Sequence, residues 1–347
     1  MNKPVTTPTA TVFCGIDVSA TTLAVAVIEQ DQPLQQRQFI NRPSGHKALI
    51  GWLAKRQACV RVSMEATGIY SLDLALALDA QTSIELAVLN PKLANRFQQT
   101  LSRSKTDAAD AVVLAHYSQR MPFTRWQRPG LKGLQLRALA RHIGALVSQQ
   151  SREKNRQHAL KNSSTAPRAV IDDLSRSLAS VARRIVKMRG MAMELIRADD
   201  QLNERFCLLT SIPGIAAVSA IQLLAETVLL APDLTARLWV ASSGLDPMHC
   251  TSGTSVHKRP RISRSGNRHL RRALYMPALA AVRWDQHLKA FYEALQMRHK
   301  TKLQALIAVA RKLLHAIYGI FKTRTPYNGS KLFPQMNLTP ELQSVSR

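Results

Sequence analysis

Four carboxylates in the first third of the chain have the type and spacing for metal-assisted phosphodiester chemistry. Asp17 closes an apolar run, Phe-Cys-Gly-Ile-Asp-Val, where an ionised group is expensive to bury without a partner or a cation. Glu65 ends a second such run, Val-Ser-Met-Glu-Ala-Thr-Gly. Asp107 and Asp110 stand three apart in Lys-Thr-Asp-Ala-Ala-Asp-Ala at the start of a helical pattern, a spacing that turns both the same way. Together they form an all-oxygen set suited to hard divalent ions, Mg²⁺ first with Mn²⁺ as a substitute. A pair of such ions can activate a nucleophile and stabilise a leaving oxygen at a phosphodiester. Taken singly, each acid has a plainer use: Asp107 and Asp110 complement a helix N-terminus, and Asp17 turns a strand end.

Those acids need a sheet to carry them. Three β-like runs, 11–18, 22–29 and 34–40, predict three strands, the first two dense in Val, Ile and Ala as strands buried on both faces should be. A helix is expected over 46–56, a strand over 60–66, a helix over 71–80 and a strand over 84–89, followed by more helix. The order β-β-β-α-β-α-β-α reads as a mixed sheet flanked by helices, and ribonuclease-H-like folds share it with other α/β domains. Pro122 and the 126–130 stretch mark a boundary. Beyond it Ile171, Leu178 and Ile185 recur every seven residues, interleaved with Leu174, Val181, Met188 and Leu195. This is a coiled-coil seam, formed either between chains or against the preceding helix. Residues 162–167, Asn-Ser-Ser-Thr-Ala-Pro, read as the turn between two long helices.

Charge divides the chain as sharply as pattern does. Over 347 residues it carries 48 Lys+Arg and 22 Asp+Glu, yet residues 1–125 hold only 13 of the bases and 9 of the acids. The remainder is strongly basic, and a polyanion is the expected partner. Residues 247–284 contain eight Lys+Arg and no acid, so binding through them is strongly salt-dependent. Lys258, Arg259, Arg261, Arg264, Arg268, Arg271 and Arg272 are the candidate phosphate contacts. Before them, Leu-Thr-Ser-Ile-Pro-Gly-Ile at 209–215 is a helix–turn–helix pattern. Its Pro213-Gly214 turn can offer backbone N–H groups to a phosphate, or serve as a plain hairpin. At 5% aromatic content base stacking is a minor theme. With 46% hydrophobic residues the chain builds a core. No apolar run reaches 18 residues, so a membrane-spanning helix is not expected. Nor does the start resemble a secretory signal. Four cysteines without C-x-x-C spacing argue for a reducing compartment.

Gly-Ile-Asp-Val-Ser, Glu-Ala-Thr-Gly-Ile-Tyr, Leu-Asn-Pro and Lys-Thr-Asp-Ala-Ala-Asp-Ala together resemble the DEDD transposases of insertion-sequence family 110. The resemblance spans roughly residues 12–121 and 206–321 and implies a four-part chain. Residues 1–125 would be an α/β RuvC-like (ribonuclease-H-like) domain whose metal site is Asp17, Glu65, Asp107 and Asp110. Residues 126–205 would be a helical coiled-coil, oligomerising segment. Residues 206–325 would be a mostly α, transposase-20-type DNA-binding domain with a helix-hairpin-helix element. A polar tail, 326–347, would follow. Ser-Gly-Thr-Ser-Val then Leu-Arg-Arg-Ala-Leu-Tyr-Met-Pro-Ala looks like the family's second-domain motif, and Ser252 matches its catalytic serine. From sequence alone Thr251, Thr254 and Ser255 compete with it. Lys258-Arg-Pro replaces a glycine often found there, which bears on the loop around Ser252. The implied activity is Mg²⁺-dependent strand cleavage and exchange, with Ser252 taking a DNA end into a phosphoserine link. Implied partners are donor and target DNA, a structured non-coding guide RNA and further copies of the chain (dimer or tetramer), in the cytoplasm with no membrane. A RuvC-like endonuclease using water on branched DNA, or a non-enzymatic basic nucleic-acid binder, are the alternatives.

Overall fold

In a computed structural model the chain divides into two compact units, Met1–Arg128 and Pro129–Arg347. The structure describes residues 12–66, 68, 70–101, 106–231, 233–252 and 256–332, with the backbone alone for 249–252 and 256–259.

The first unit is a five-stranded mixed sheet. Its elements are β1 (Val12–Val18), β2 (Thr22–Glu29), β3 (Gln35–Ile40), α1 (Pro43–Ala54), β4 (Val60–Glu65), α2 (Leu72–Asp79), β5 (Ile84–Leu89), α3 (Pro91–Leu101) and α4 (Asp107–Arg120). The sheet order is β3-β2-β1-β4-β5. β1–β2 and β2–β3 are antiparallel hairpins, while β1–β4 and β4–β5 are parallel. Parallel neighbours require a crossover, which α1 and α2 provide. Alternation along the strands sorts the faces. Cys14, Ile16 and Val18 of β1 and Val60, Val62 and Met64 of β4 pack with Leu49 and Leu53 of α1 and Leu74 and Leu78 of α2. Because side chains alternate across a strand, Phe13, Gly15 and Asp17, with Arg61, Ser63 and Glu65, belong to the opposite face. α4 covers that face, joining Ala111 and Ala115 to Ala26 of β2. Each strand expected from sequence is present to within a residue.

The second unit opens with two long helices, α5 (Leu131–Lys161) and α6 (Arg168–Arg197), meeting at the 162–167 turn. The heptad residues of α6 face α5 within the same chain: Val181, Ile185 and Met188 pack on Leu146 and Val147. The pair is thus a helical hairpin. Its base is not a separate segment, because Leu136, Ala140, Ile143, Ala192 and Ile196 enter the core of the unit. That core is completed by α7 (Asp200–Thr210), α8 (Ala217–Thr227), α9 (Ala236–Ser243), α10 (Arg268–Trp284), α11 (Gln286–Met297) and α12 (Lys302–Thr323). A two-stranded hairpin, β6 (Pro247–Ser252) and β7 (Val256–Ile262), lies between α9 and α10, and a short α13 (Gly329–Leu332) follows α12.

Among the described residues one helix, α12, is by length and composition alone apolar enough to cross a membrane, although Gln304, Arg311, Lys312 and His315 keep its apolar runs short. Half of its apolar window is buried, with Leu313, Leu314 and Ile317 in the helical core. The expected polar tail does not begin at 326: Tyr327 packs against the core, its N–H donating to Ser211 Oγ at 2.9 Å.

Candidate active site

Asp17 and Glu65 are placed by one register. Ile16 pairs with Met64 across the parallel β1–β4 ladder, so Asp17 and Glu65, one step further, are neighbours on strands about 4.8 Å apart. Both are half-buried and belong to the α4 face. Loops at this end are tied together by Asn41, whose Nδ2 donates to Ser19 O at 2.8 Å and Tyr70 O at 3.1 Å. Its Oδ1 meets His46 Nε2 at 2.8 Å. Ser19, the last residue of the Gly-Ile-Asp-Val-Ser motif, closes the β1–β2 turn: its Oγ accepts from Thr22 N at 2.9 Å.

The other two acids arrive on α4. Thr106 caps this helix, its side chain accepting from Ala109 N at 3.2 Å, and Asp107 and Asp110 occupy the first turn, where the helix dipole favours them. Two contacts fix the direction of the helix. A Cβ on Gly15 would lie 2.1 Å from Ala111 O and 2.2 Å from Ala115 N, so α4 crosses β1 backbone against backbone there. One turn later Ser118 Oγ donates to Arg61 O at 2.8 Å, at the opposite end of β4 from Glu65. α4 therefore runs against β1 and β4, and its acidic first turn lies at the strand ends that carry Asp17 and Glu65. All four acids share one face and one end of the sheet. Asp107 is exposed and Asp110 half-buried, the latter accepting from Gln98 Nε2 of α3. Leu-Asn-Pro opens α3, with Asn90 Oδ1 accepting from Lys92 N at 3.0 Å. Phe97 meets Tyr117 edge-on at 5.2 Å and holds α3 against α4. Among the described residues no three His, Cys, Asp or Glu side chains form a group close enough to hold a metal ion. The donor chemistry fits a hard cation, and closing around one requires the carboxylates to turn toward each other.

Sequence reasoning missed Gln98 and Asn41. A single Gln in a helix and a single Asn after a strand carry no spacing signal.

In the second unit Ser252 ends β6, its backbone paired with Val256 of β7. The sequence placed it in a polar loop; it is the last residue of a strand, and the competitors Thr254 and Ser255 lie outside the described residues. The base of this hairpin is fastened at several points. Asn267 N donates to Ser242 O at 2.7 Å, Ser263 N to Asp246 O at 2.9 Å, and Ser263 Oγ to Asp246 Oδ1 at 2.6 Å. Of the candidate phosphate contacts, Arg261, Arg264, Arg268 and Arg272 are exposed. Arg271 is engaged internally, its Nη1 donating to Ser243 O at 2.7 Å and Gly266 O at 3.0 Å. Lys258 and Arg259 are described by backbone alone, in β7. Gly214 has φ +92, and a Cβ on it would meet Ala281 N at 2.7 Å and Pro277 O at 2.9 Å. The Pro213-Gly214 turn is thus packed on α10, a structural use for its glycine whether or not it meets phosphate.

Beneath α10 lies a buried polar network. Glu226 of α8, 5% exposed, receives two bonds from Arg141 (Nε at 2.8 Å, Nη2 at 2.9 Å) and one from Asn267 Nδ2 at 2.6 Å. Burial works to raise the Glu226 pKa, but these hydrogen bonds and the Arg141 charge together hold it below the usual glutamate value. Asn267 Oδ1 also caps α10, accepting from His269 N and Leu270 N.

Comparison with known proteins places these elements. A family model described as a transposase matches residues 14–162, and one described as the IS116/IS110/IS902 transposase family matches 207–293. The chain belongs to the IS116/IS110/IS902 transposase family. The four acids of this transposase fall within the first match; Ser252 and the arginines fall within the second. Pilin gene-inverting proteins of Moraxella bovis and Moraxella lacunata are 29% identical over 323 residues, covering 91% of this chain and 97% of theirs. An insertion element IS110 protein of Streptomyces coelicolor is 30% identical over 157 residues, 45% of this chain and 38% of its own length. Among solved structures, RuvC of Thermus thermophilus covers 30% of this transposase and 90% of its own chain, at 14% identity and a TM-score of 0.24.

Proposed function

We propose that this transposase cuts and rejoins DNA with a divalent ion held by Asp17, Glu65, Asp107 and Asp110, and with Ser252 as nucleophile. The observation that supports the reading is the placement of two strand ends and one helix start, which carry the four acids, at one end and on one face of the mixed sheet. When bound there, Mg²⁺ or Mn²⁺ supplies charge neutralisation at the phosphate and at its entering and leaving oxygens. The protein's part is to hold its acids on rigid element ends, with Gln98 orienting Asp110. Ser252 Oγ forms a bond to phosphorus as the P–O3′ bond breaks, the serine proton passing through solvent to the departing 3′ oxygen. A 3′ hydroxyl from another strand then bonds to the same phosphorus as the P–Oγ bond breaks, its proton passing through solvent to Ser252 Oγ and restoring the hydroxyl. Each step exchanges one phosphodiester bond for another, so no external energy source is needed. The surplus of basic residues after 125 supports a nucleic-acid backbone as partner. The family resemblance supports a structured RNA guide, base pairing reading sequence while protein holds backbone, and action as a homo-oligomer.

The test is Asp17→Asn and Glu65→Gln in the full chain, assayed on its element DNA with Mg²⁺. Loss of a metal ligand removes several kcal/mol of transition-state stabilisation, so cleavage falls about 100-fold or more while DNA binding in EDTA is retained. Undiminished cleavage by both variants would remove the metal-site reading. Metal-dependent hydrolysis by the wild type with no protein–DNA adduct would replace Ser252 by water.

A further inference from the structure

We propose that the outward face of α6, the second arm of the long hairpin, is a track for the backbone of duplex DNA. Residues 174–193 contain Arg176, Arg183, Arg184, Lys187 and Arg189 and no acid. The inner face of this arm is fixed by Leu174, Val181, Ile185 and Ala192, all buried. At 100° per residue Arg176, Arg183 and Lys187 fall opposite that seam, and all three, with Arg184, are exposed. Arg176 has an ion pair with Asp173 at 3.7 Å; among the described residues no ion pair involves Arg183, Arg184 or Lys187. Arg176 to Lys187 spans eleven residues, or roughly 17 Å of straight helix, the length of a row of several phosphates.

Two features select the occupant. Residues 127–205 contain no Phe, Trp or Tyr, so this arm has nothing on which to stack unpaired bases, and single strands are a poor fit. A second copy of the chain is the other occupant to weigh, since Val186 and Met191 are exposed on the same arm. A two-fold pairing there sets Arg183, Arg184 and Lys187 near their own copies with no acid in the stretch to offset them. Duplex DNA matches the charge, needs no base contact, and is the substrate of the chemistry proposed above. The inference rests on that reading for its choice of DNA but not on the metal site.

The experiment compares wild type with the full-length double variant Arg183→Gln/Lys187→Gln on a 30-base-pair duplex in EDTA, titrating salt. Each lost phosphate contact lowers the slope of log K against log salt by about 0.9, so the variant slope is shallower by about 1.8, equally for unrelated sequences. Melting temperature and sedimentation of the variant stay at wild-type values. An unchanged slope overturns the proposal, as does a slope change confined to duplex RNA or single strands. A variant that changes oligomeric state with its slope intact assigns the face to a second copy instead. Because no metal is present, failure here leaves the Asp17 and Glu65 test unaffected, and the reverse holds.

Discussion

Adding one methyl group at Gly15 tests how α4 presents Asp107 and Asp110. In Gly15→Ala the new carbon would stand 2.1 Å from Ala111 O, 2.2 Å from Ala115 N and 2.7 Å from Leu114 C. All three are backbone atoms of α4, so no rotamer change relieves the clash. Restoring ordinary contact of about 3.5 Å requires α4 to retreat by about 1.4 Å, loosening Ala111, Leu114, Ala115 and Tyr117, which are all buried. Overpacking of this kind costs about 1–3 kcal/mol, and a rigid neighbour places Gly15→Ala at the upper end, about 3 kcal/mol. At about 4 °C per kcal/mol for a unit of this size, the first unit's melting temperature falls by about 10 °C. A 1 Å displacement at a reacting centre costs on the order of 100-fold in rate, and strand cleavage measured below the new transition falls accordingly. Gly51→Ala is the matched control: its added carbon meets nothing within 4 Å, on an exposed position of α1. It gains roughly 0.5–1 kcal/mol of helix propensity and melts a few degrees higher. If Gly15→Ala melts within about 2 °C of wild type and cleaves normally, α4 does not cross β1 at that residue, and the placement of Asp107 and Asp110 derived from it is wrong.

Replacing Glu226 by Gln removes the charge that Arg141 and Asn267 hold; bonds to charged groups contribute about 1.5–3 kcal/mol, and the partial exposure of Arg141 places the loss near the low end. Because the folded Glu226 pKa is lowered from 4.5, its stabilisation is complete above that value and is lost as pH falls through the folded value. Chemical denaturation from pH 7 to pH 3 should show a shallower acid-side decline in Glu226→Gln, and an identical decline would exclude the pair as a stabilising element. Ser252→Ala is expected to eliminate protein-linked DNA on a denaturing gel; an adduct that persists moves the nucleophile to Thr251, Thr254 or Ser255. Burial lowers the pKa of His46, His116, His269 and His315 from 6.5. The unfolded chain therefore binds protons near pH 6.5 that the folded chain refuses, and stability declines as pH drops through that value until the folded groups also titrate. A flat stability profile between pH 7 and pH 5 would contradict this.

Four of the five strands were legible because they are short apolar runs bounded by turn residues, whereas β3 is mostly Gln and Arg and is exposed along most of its length; the helix hairpin was legible because a seven-residue period runs along α6 after a Pro-containing turn. The strand-end positions of Asp17 and Glu65 were legible for the same reason, as charges at or next to the end of apolar runs. What could not be read is anything set by pairing between distant segments. Gln98 reaches Asp110 only because Phe97 and Tyr117 lock α3 onto α4. Glu226 looks like one more helical glutamate until Arg141, 85 residues away, and Asn267, 41 residues away, close on it. Arg271 shares its spacing with the exposed Arg268 and Arg272, yet the carbonyls of Ser243 and Gly266 claim it. Sequence charge alone cannot separate an arginine facing solvent from one that ties a loop. Ser252 was misplaced into a loop because the β6–β7 hairpin is built from Thr, Ser, Lys and Arg, without the apolar alternation that marks a strand.

The hairpin of α5 and α6 meets the helical core through Leu136, Ala140, Ile143, Ala192 and Ile196 at its base, and holds itself together beyond that with a seam of its own. Its reach is consequently an adjustable dimension of the molecule. Excising seven residues from each arm beyond Leu146 and before Ile185 would shorten it by about 10 Å while preserving the phase of the remaining contacts and everything at the root. Such trimmed and extended versions would act as rulers, reporting the distance over which this arm must extend for recombination to proceed.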